Sequence, residues 1–176
     1  ESGYPFDGKV RLIVTPEKKE HFSISMRIPT WATKDEFVPG GLYPYKEQRH
    51  LSVEIRVNGE KVKYVMKKGF AVIERDWVSG DTVELELPMP VRFVDCIPEV
   101  KDNVGKTAVT RGPLVYCAEE IDNGGPVQQL FLGDATEEKA QVTIEETGEL
   151  KGLDFIKVGG ISLVPYYAWC NRGDNR

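Results

Sequence analysis

The sequence predicts an all-β protein built from antiparallel β-sandwiches of the jelly-roll type. Short segments in which apolar and polar residues alternate follow one another along the chain. Alternation with a period of two is typical of a strand that buries one face. Turn residues separate these segments at near-regular spacing, and no stretch shows a convincing helical period. Many short strands at this spacing are typical of antiparallel sheets packed face to face.

The clearest strands lie in the first half of the chain. KVRLIVT (residues 9–15) directs Val10, Leu12 and Val14 to one face, and HFSISMRI (21–28) alternates in the same way. Further strands are predicted at residues 51–57, 61–65, 69–75 and 81–87. Asn58-Gly59 lies between two of them, and this dipeptide favours a type I′ turn, in which both central residues have positive φ.

The second half has shorter, glycine-punctuated strands. Pro88-Met89-Pro90 interrupts the pattern, because proline cannot donate to a ladder and therefore ends or bends a strand. The composition changes near residues 97–105, so we predict two tandem sandwiches, residues 1–103 and 104–176. The alternative is one continuous sandwich whose later strands pair back onto the first. The later strands are predicted at residues 91–94, 106–110, 114–118, 128–132, 141–145, 155–158 and 161–164.

Composition excludes several classes of function. The net charge of −5 is spread along the chain, without the basic patch that nucleic-acid binding needs. The 40% of hydrophobic residues argues against disorder, and no apolar run approaches the roughly 20 residues of a membrane helix. Three widely spaced cysteines do not form a disulfide framework. The sequence is compatible with either cytoplasm or periplasm.

No pattern of residues indicates catalysis or a cofactor. Adjacent carboxylates occur at Glu119-Glu120, Glu137-Glu138 and Glu145-Glu146, but neighbours on a strand point to opposite faces. A glycosidase pair must instead face each other across the scissile bond. We therefore interpret these acids as solvated surface charge.

The histidines and cysteines lead to the same result. His21 and His50 stand alone, so no metal-ligand cluster is predicted. Cys96 and Cys117 lie in apolar runs, where a buried, unreactive thiol is commoner than a nucleophile.

A long polar loop at residues 30–50 carries several aromatic side chains. A loop of this length is functional or docks on another surface. One hypothesis is that these rings form a platform on which the apolar face of a sugar stacks. The other is that they pack in the core or between domains. The sequence leaves both hypotheses open. The loop residues that carry this prediction are Trp31, Tyr43 and Tyr45, and the later aromatics Tyr166, Tyr167 and Trp169 extend the set.

Several phrases occur in an order that identifies a family. Together they resemble the C-terminal β-sandwich region of glycoside hydrolase family 127, the β-L-arabinofuranosidase family, over nearly the whole chain. The phrases are YPFDGKVRLIV (4–14), SMRIPTWA (25–32), VPGGLYPY (38–45), VNGEKV (57–62), GFAVIERDWVSGDTVELELPMPVR (69–92), TRGPLVYCAE (110–119) and PYYAWCNRG (165–173).

The resemblance implies that the active site lies outside this chain. In that family an N-terminal (α/α)6 barrel carries a cysteine nucleophile, a glutamate and a zinc held largely by cysteines. No residue here matches those motifs, so no catalytic, metal-binding or cofactor-binding residue is assigned, and any zinc would lie in the missing barrel.

We therefore expect a non-catalytic accessory region of a glycoside hydrolase that packs on this barrel. Isolating the fragment is expected to expose an apolar patch that favours self-association. The alternative is a carbohydrate-binding module that uses Trp31, Tyr43 and Tyr45 of the loop.

Overall fold

The computed structural model describes residues 1–33 and 36–172, and every strand pairing in this part is antiparallel. The predicted all-β fold class is confirmed. The chain divides into two units. Unit 1 comprises residues 1–41 and 48–89, and unit 2 comprises residues 42–47 and 90–176.

Unit 1 is a sandwich of two sheets. One sheet has the order β1-β7-β3-β4 and the other β2-β6-β5. Its strands are β1 (Lys9–Val14), β2 (Glu20–Arg27), β3 (Glu54–Val57), β4 (Glu60–Lys61), β5 (Val65–Lys67), β6 (Phe70–Trp77) and β7 (Asp81–Glu86).

Alternation along these strands builds the core of unit 1. Ile55 on β3 and Val83 on β7 pack in one cluster with Ile73 and Trp77 on β6. Trp77 is fully buried, and its indole N–H donates to the Phe22 carbonyl over 2.9 Å. The indole N–H is the only polar group of the Trp77 side chain, and this hydrogen bond gives it a partner in the core.

The hairpin predicted at Asn58-Gly59 is confirmed. The two residues have φ of 52° and 82°, and they join β3 to β4 with Val57 opposite Glu60. The Asn58 side chain also accepts from the Thr82 N–H (2.8 Å) and donates to Asp81 Oδ1 (2.8 Å). The turn is therefore tied to the neighbouring strand β7.

Unit 2 contains one six-stranded sheet in its described part, with the order β11-β12-β13-β10-β9-β8. A short helix α1 (Glu120–Asn123) follows β10. The strands are β8 (Val91–Val94), β9 (Ala108–Arg111), β10 (Leu114–Ala118), β11 (Gln141–Ile144), β12 (Asp154–Val158) and β13 (Ile161–Pro165).

The boundary between the units differs from the predicted one. It falls at Met89 and Pro90 rather than at about Asn103, because β8 pairs with β9 and so belongs to unit 2. The change in composition near residues 97–105 marks the β8–β9 connection instead.

The second predicted sandwich also takes a different form. Residues 130–140, rather than a second sheet, supply apolar side chains such as Leu130 and Leu132 that cover the cluster around Ile156 and Leu163. None of the helices in residues 1–33 and 36–172 is long and apolar enough to cross a membrane.

Candidate functional site

Part of the predicted loop at residues 30–50 is an added edge of the unit 2 sheet. The Lys46 N–H donates to the Phe93 carbonyl (2.9 Å), and the Asp95 N–H donates to the Pro44 carbonyl (3.1 Å). These bonds, with a bridge between Tyr45 and Val94, hold residues 42–47 along β8. Residues 34 and 35 of the same loop lie outside the described residues.

Tyr45 packs beneath a buried arginine. The Arg92 guanidinium carbon lies 3.9 Å from the centre of the Tyr45 ring, and the guanidinium also donates to the Glu47 carbonyl. Only 5% of Tyr45 is exposed, and burial raises the pKa of its phenol because the phenolate would lose its hydration. The ring therefore serves to hold residues 42–47 on the sheet.

Arg92 in turn forms a buried ion pair with Glu137. Arg92 Nε lies 3.1 Å from Glu137 Oε2, and the Phe93 N–H donates to Glu137 Oε1 over 2.7 Å. The two charged side chains are 3% and 0% exposed. The interpretation of Glu137 as solvated charge is wrong, because its side chain is buried. Burying a charged group is costly unless the group is paired, and Arg92 is the partner here. The signal in the sequence is Arg92 itself, placed between apolar residues of β8.

The other two residues of the predicted platform, Trp31 and Tyr43, lie in different units. Trp31 is 8% exposed and packs in the unit 1 core from a 3₁₀ turn at Thr30–Ala32. Tyr43 belongs to unit 2, and its hydroxyl accepts from Asn103 Nδ2 over 3.3 Å. Sugar binding by Trp31, Tyr43 and Tyr45 stays a prediction, and the burial of Trp31 and Tyr45 weighs against it.

A different aromatic group is open to solvent. Tyr166, Tyr167 and Trp169, which we name the aromatic surface, are 59%, 52% and 46% exposed. The rings of Tyr166 and Trp169 lie within 10° of parallel, with their centres 6.0 Å apart. The surface follows β13, which ends at Pro165, and a 3₁₀ turn at Tyr166–Ala168 presents the rings. Proline has no N–H to continue the ladder, so the chain leaves the sheet here.

A partly buried network of charged side chains fixes the end of this turn. The Glu119 carboxylate accepts from the Cys170 N–H (2.7 Å) and from the Arg172 guanidinium. Arg172 also donates to Asp122 Oδ1 over 2.9 Å, and these two carboxylates raise the pKa of the guanidinium, Asp122 most strongly. Because Glu119 is only 1% exposed, its interpretation as solvated charge is also wrong.

The side chain of Asn123 adds a second tie. It donates to the Ser162 carbonyl (3.0 Å) and accepts from the Ser162 N–H (2.9 Å), linking α1 to β13. Together with Glu119 and Arg172, it holds the two chain segments that flank the aromatic surface.

Two further reactive side chains of the described residues, Cys117 and His21, lie in different units. Burial, with smaller contributions from Glu119 and Cys170, raises the pKa of the Cys117 thiol to about 11, so this thiol is protonated at neutral pH. His21 is an exposed member of an ion pair with Asp76 (2.9 Å). Within the described residues, no three His, Cys, Asp or Glu side chains come together as a metal site.

Comparison with known proteins agrees with this architecture. The sequence model of the β-L-arabinofuranosidase GH127 middle domain matches residues 1–89, and that of the glycoside hydrolase family 127 C-terminal domain matches residues 91–176. The break between the two matches coincides with the boundary between the structural units at Met89 and Pro90.

Individual relatives show the same similarity. A non-reducing end β-L-arabinofuranosidase of Bifidobacterium longum is 29% identical over 97% of this chain. A solved GH127 β-arabinofuranosidase is 31% identical with a TM-score of 0.82, and a GH127 β-L-arabinofuranosidase of Geobacillus stearothermophilus T6 is 37% identical with a TM-score of 0.80. Each of the two structural matches covers 99% of this chain.

The match is to one part of these proteins. The chain spans 28% of the Bifidobacterium enzyme and 30% and 28% of the two solved structures. The predicted resemblance is confirmed, and the chain belongs to glycoside hydrolase family 127, of which it comprises the middle and C-terminal domains.

Proposed function

We propose that this chain is a non-catalytic accessory region of a β-L-arabinofuranosidase and that it packs on the catalytic barrel through the aromatic surface. The observation that carries the proposal is the exposure of Tyr166, Tyr167 and Trp169 on a turn held by buried charges. Large aromatic side chains are enriched at protein interfaces, where their apolar faces are buried and their polar tips find partners.

The geometry of the turn favours the hypothesis that its exposed aromatic rings form an interface. The Glu119 side chain is completely buried and that of Arg172 is 19% exposed, so the pair loses much of its hydration in the fold. What this arrangement positions is the backbone at Cys170, directly after Trp169. A rigid turn needs less ordering when it binds a partner, which favours association.

The family supports the nature of the partner. Two of the similar proteins are named as β-L-arabinofuranosidases and one as a β-arabinofuranosidase, and roughly seven tenths of their length has no counterpart in this chain. In this proposal that part carries the barrel with its cysteine nucleophile, its glutamate and its zinc. In this proposal the reaction of the whole protein is hydrolysis of β-L-arabinofuranosides, and the present chain stabilises the enzyme that performs it.

Alanine substitutions in the full-length protein test the docking. Tyr166→Ala and Trp169→Ala are expected to lower the thermal stability of the barrel and to speed hydrogen exchange in barrel peptides that contact the turn. Phe131→Ala is the matched control, because Phe131 is an aromatic residue of the same unit that is 81% exposed. Unchanged barrel stability in both aromatic variants would reject the docking surface, and no release of L-arabinose by the wild-type protein would reject the assigned reaction.

The near-parallel rings of Tyr166 and Trp169 support a second candidate, carbohydrate binding. Such rings can stack on the apolar faces of sugars, as aromatic residues do in ligand sites. Titration of the full-length protein with arabinose-containing oligosaccharides, followed by tryptophan fluorescence, separates the two. Saturable binding that Trp169→Ala abolishes while barrel stability is unchanged favours the carbohydrate site. If Tyr43→Ala abolishes binding instead, the carbohydrate site lies in the loop at residues 30–50.

A further inference from the structure

We propose that the polypeptide immediately before Glu1 in the full-length protein forms a β-strand on the free edge of β1, antiparallel to it and opposite Leu12, Ile13 and Val14. This inference rests on the proposed function only in assuming that the chain is the later part of a longer hydrolase. It assigns an interaction surface of unit 1 and the segment that occupies it.

The pairing has already begun inside the chain. The Glu1 nitrogen donates to the Arg11 carbonyl over 2.8 Å, and the Arg11 N–H donates to the Glu1 carbonyl over 2.9 Å. Ser2 forms an antiparallel bridge with Val10. Continued in register, the residue before Glu1 lies opposite Leu12, the second opposite Ile13 and the third opposite Val14.

The backbone of β1 offers hydrogen-bonding groups at this edge. Successive residues of a strand direct their N–H and C=O groups to alternate sides. Val14 faces β7, since its carbonyl accepts from the Gly80 N–H (2.9 Å), whereas Arg11 faces Glu1. Ile13 therefore directs its N–H and C=O to the same side as Arg11, where an upstream strand would bond them.

The side chains at this edge are apolar and exposed. Leu12 is 37% exposed and Ile13 is 55% exposed. Leu12 also lines a largely apolar groove of about 430 Å³, with Met26 on β2 and Leu85 on β7. An exposed edge with apolar side chains is an aggregation hazard that proteins normally cover. An apolar residue opposite Leu12 would cover the groove, since directly opposed residues share a face.

The family identifies the occupant. Residues 1–89 match a domain described as the middle one, so the relatives contain polypeptide before it. That polypeptide enters at Glu1, already aligned with β1. A second copy of this chain is disfavoured as occupant, because Glu1 and Ser2 already cover the start of the same edge.

Paired cysteines in the full-length protein test the register. Glu1 and Arg11 form a hydrogen-bonded pair, so Leu12 and the residue before Glu1 form a non-hydrogen-bonded pair with Cα atoms about 4.5 Å apart. This separation lies within the range for a disulfide. Leu12→Cys combined with a cysteine at that preceding residue is expected to lose both introduced thiols on mild oxidation and to yield the linked peptide on mass spectrometry.

The matched control moves one cysteine by a single residue. Leu12→Cys with a cysteine at the second residue before Glu1 places the two thiols on opposite faces, and both are expected to stay titratable. Linkage in the control pair, in both pairs or in neither would overturn the proposal. If the variants fail to fold, hydrogen exchange of the unmodified protein decides: slow exchange at Ile13 supports the strand, and exchange as fast as in a loop rejects it.

The two proposals fail in different ways. If the full-length protein forms the predicted disulfide but does not hydrolyse β-L-arabinofuranosides, the strand is supported and the proposed function is rejected. If the protein releases L-arabinose but forms no disulfide, only the proposed strand is rejected.

Discussion

The two units of the chain bury different kinds of side chain. Among the described residues, unit 1 buries one charged residue, Asp81, which lies at the start of β7 and not in the apolar core. Unit 2 buries three charged residues, Arg92, Glu119 and Glu137, together with Thr110. In unit 1 two regular sheets cover each other, and alternation along the strands is sufficient to bury them. In unit 2 irregular segments cover one sheet, and specific polar contacts hold those segments in place.

The difference follows from how segments are ordered. A strand gains hydrogen bonds along its whole length when it joins a sheet, whereas a loop has to be fixed at a few points against its conformational entropy. Arg92 and Glu137 fix residues 42–47 and a 3₁₀ turn at Glu137–Lys139 to β8. Buried pairs are costly to desolvate, so they impose geometry more than they add stability. Substitutions in the two units should therefore have different chemical signatures.

The largest expected effect is from removing one charge of the unit 2 core. Glu137→Gln keeps the side-chain volume but leaves the Arg92 guanidinium buried without a counter-charge, and we expect the loss of about 3–5 kcal/mol. Hydrogen exchange of β8 and β9 peptides measures the change in opening free energy. Glu138→Gln, at the exposed neighbouring position, is the control and should change the value by less than ~0.5 kcal/mol. Equal effects of the two substitutions would contradict a buried-pair anchor.

The corresponding test in unit 1 is a cavity. Ile73 is 4% exposed in the shared core of the two sheets, and Ile73→Ala is expected to destabilise unit 1 by about 2–5 kcal/mol. Exchange rates of β6 and β7 peptides report this loss. Glu74→Gln, on the exposed face of the same strand, should have an effect near zero. A large effect of Glu74→Gln would remove the contrast between the units.

A smaller loss is expected at the second charged network. In Glu119→Gln the Arg172 guanidinium keeps Asp122 as a partner and some contact with water, so about 1–3 kcal/mol is expected. Faster exchange should concentrate at residues 166–170, because Glu119 accepts from the Cys170 N–H. Glu120→Gln is the control at the neighbouring position. Exchange that rises throughout the unit 2 sheet, and not at the turn, would argue against a local anchor.

The thiols of unit 2 differ in reactivity. With its pKa raised to about 11, Cys117 has roughly one thiolate in a thousand molecules at pH 8. Cys170 is exposed, so iodoacetamide should modify Cys170 well before Cys117, and the rate at Cys117 should rise about tenfold per pH unit below its pKa. Peptide mapping of a time course measures both rates. Modification of Cys117 first would show that its surroundings are more open than the sheet contacts indicate.

The smallest effect is expected at the surface of unit 1. Hydrogen bonds to Asp76 and then to Glu74 raise the pKa of His21 above its ordinary value near 6.5. The pair stabilises the fold fully below the unfolded pKa, and this contribution is lost as pH rises through the raised folded pKa. Asp76→Asn should lower the His21 pKa in an NMR titration and flatten the pH dependence of unit 1 stability above the ordinary histidine pKa of 6.5. An unchanged titration would rule out the ion pair, and high salt should weaken it.

Much of unit 1 follows from local pattern, whereas the candidate functional surface does not. The alternation of β1 and β2 and the turn at Asn58-Gly59 were predictable because they depend on neighbours in the chain. Leu51 and Val53 were predicted in a strand, but β3 begins only at Glu54. Strand ends depend on which partner is within reach, and that is a property of the sheet.

The sequence by itself determined the all-β class, the antiparallel turns and the family, since each depends on residue types at short spacing. Only the tertiary structure decided that Glu119 and Glu137 are buried, that residues 42–47 join the unit 2 sheet and that Tyr166, Tyr167 and Trp169 remain exposed. The physical reason is that the cost of burying a charge depends on its partner. Arg92 is 45 residues from Glu137, and Arg172 is 53 residues from Glu119, so no local pattern links them.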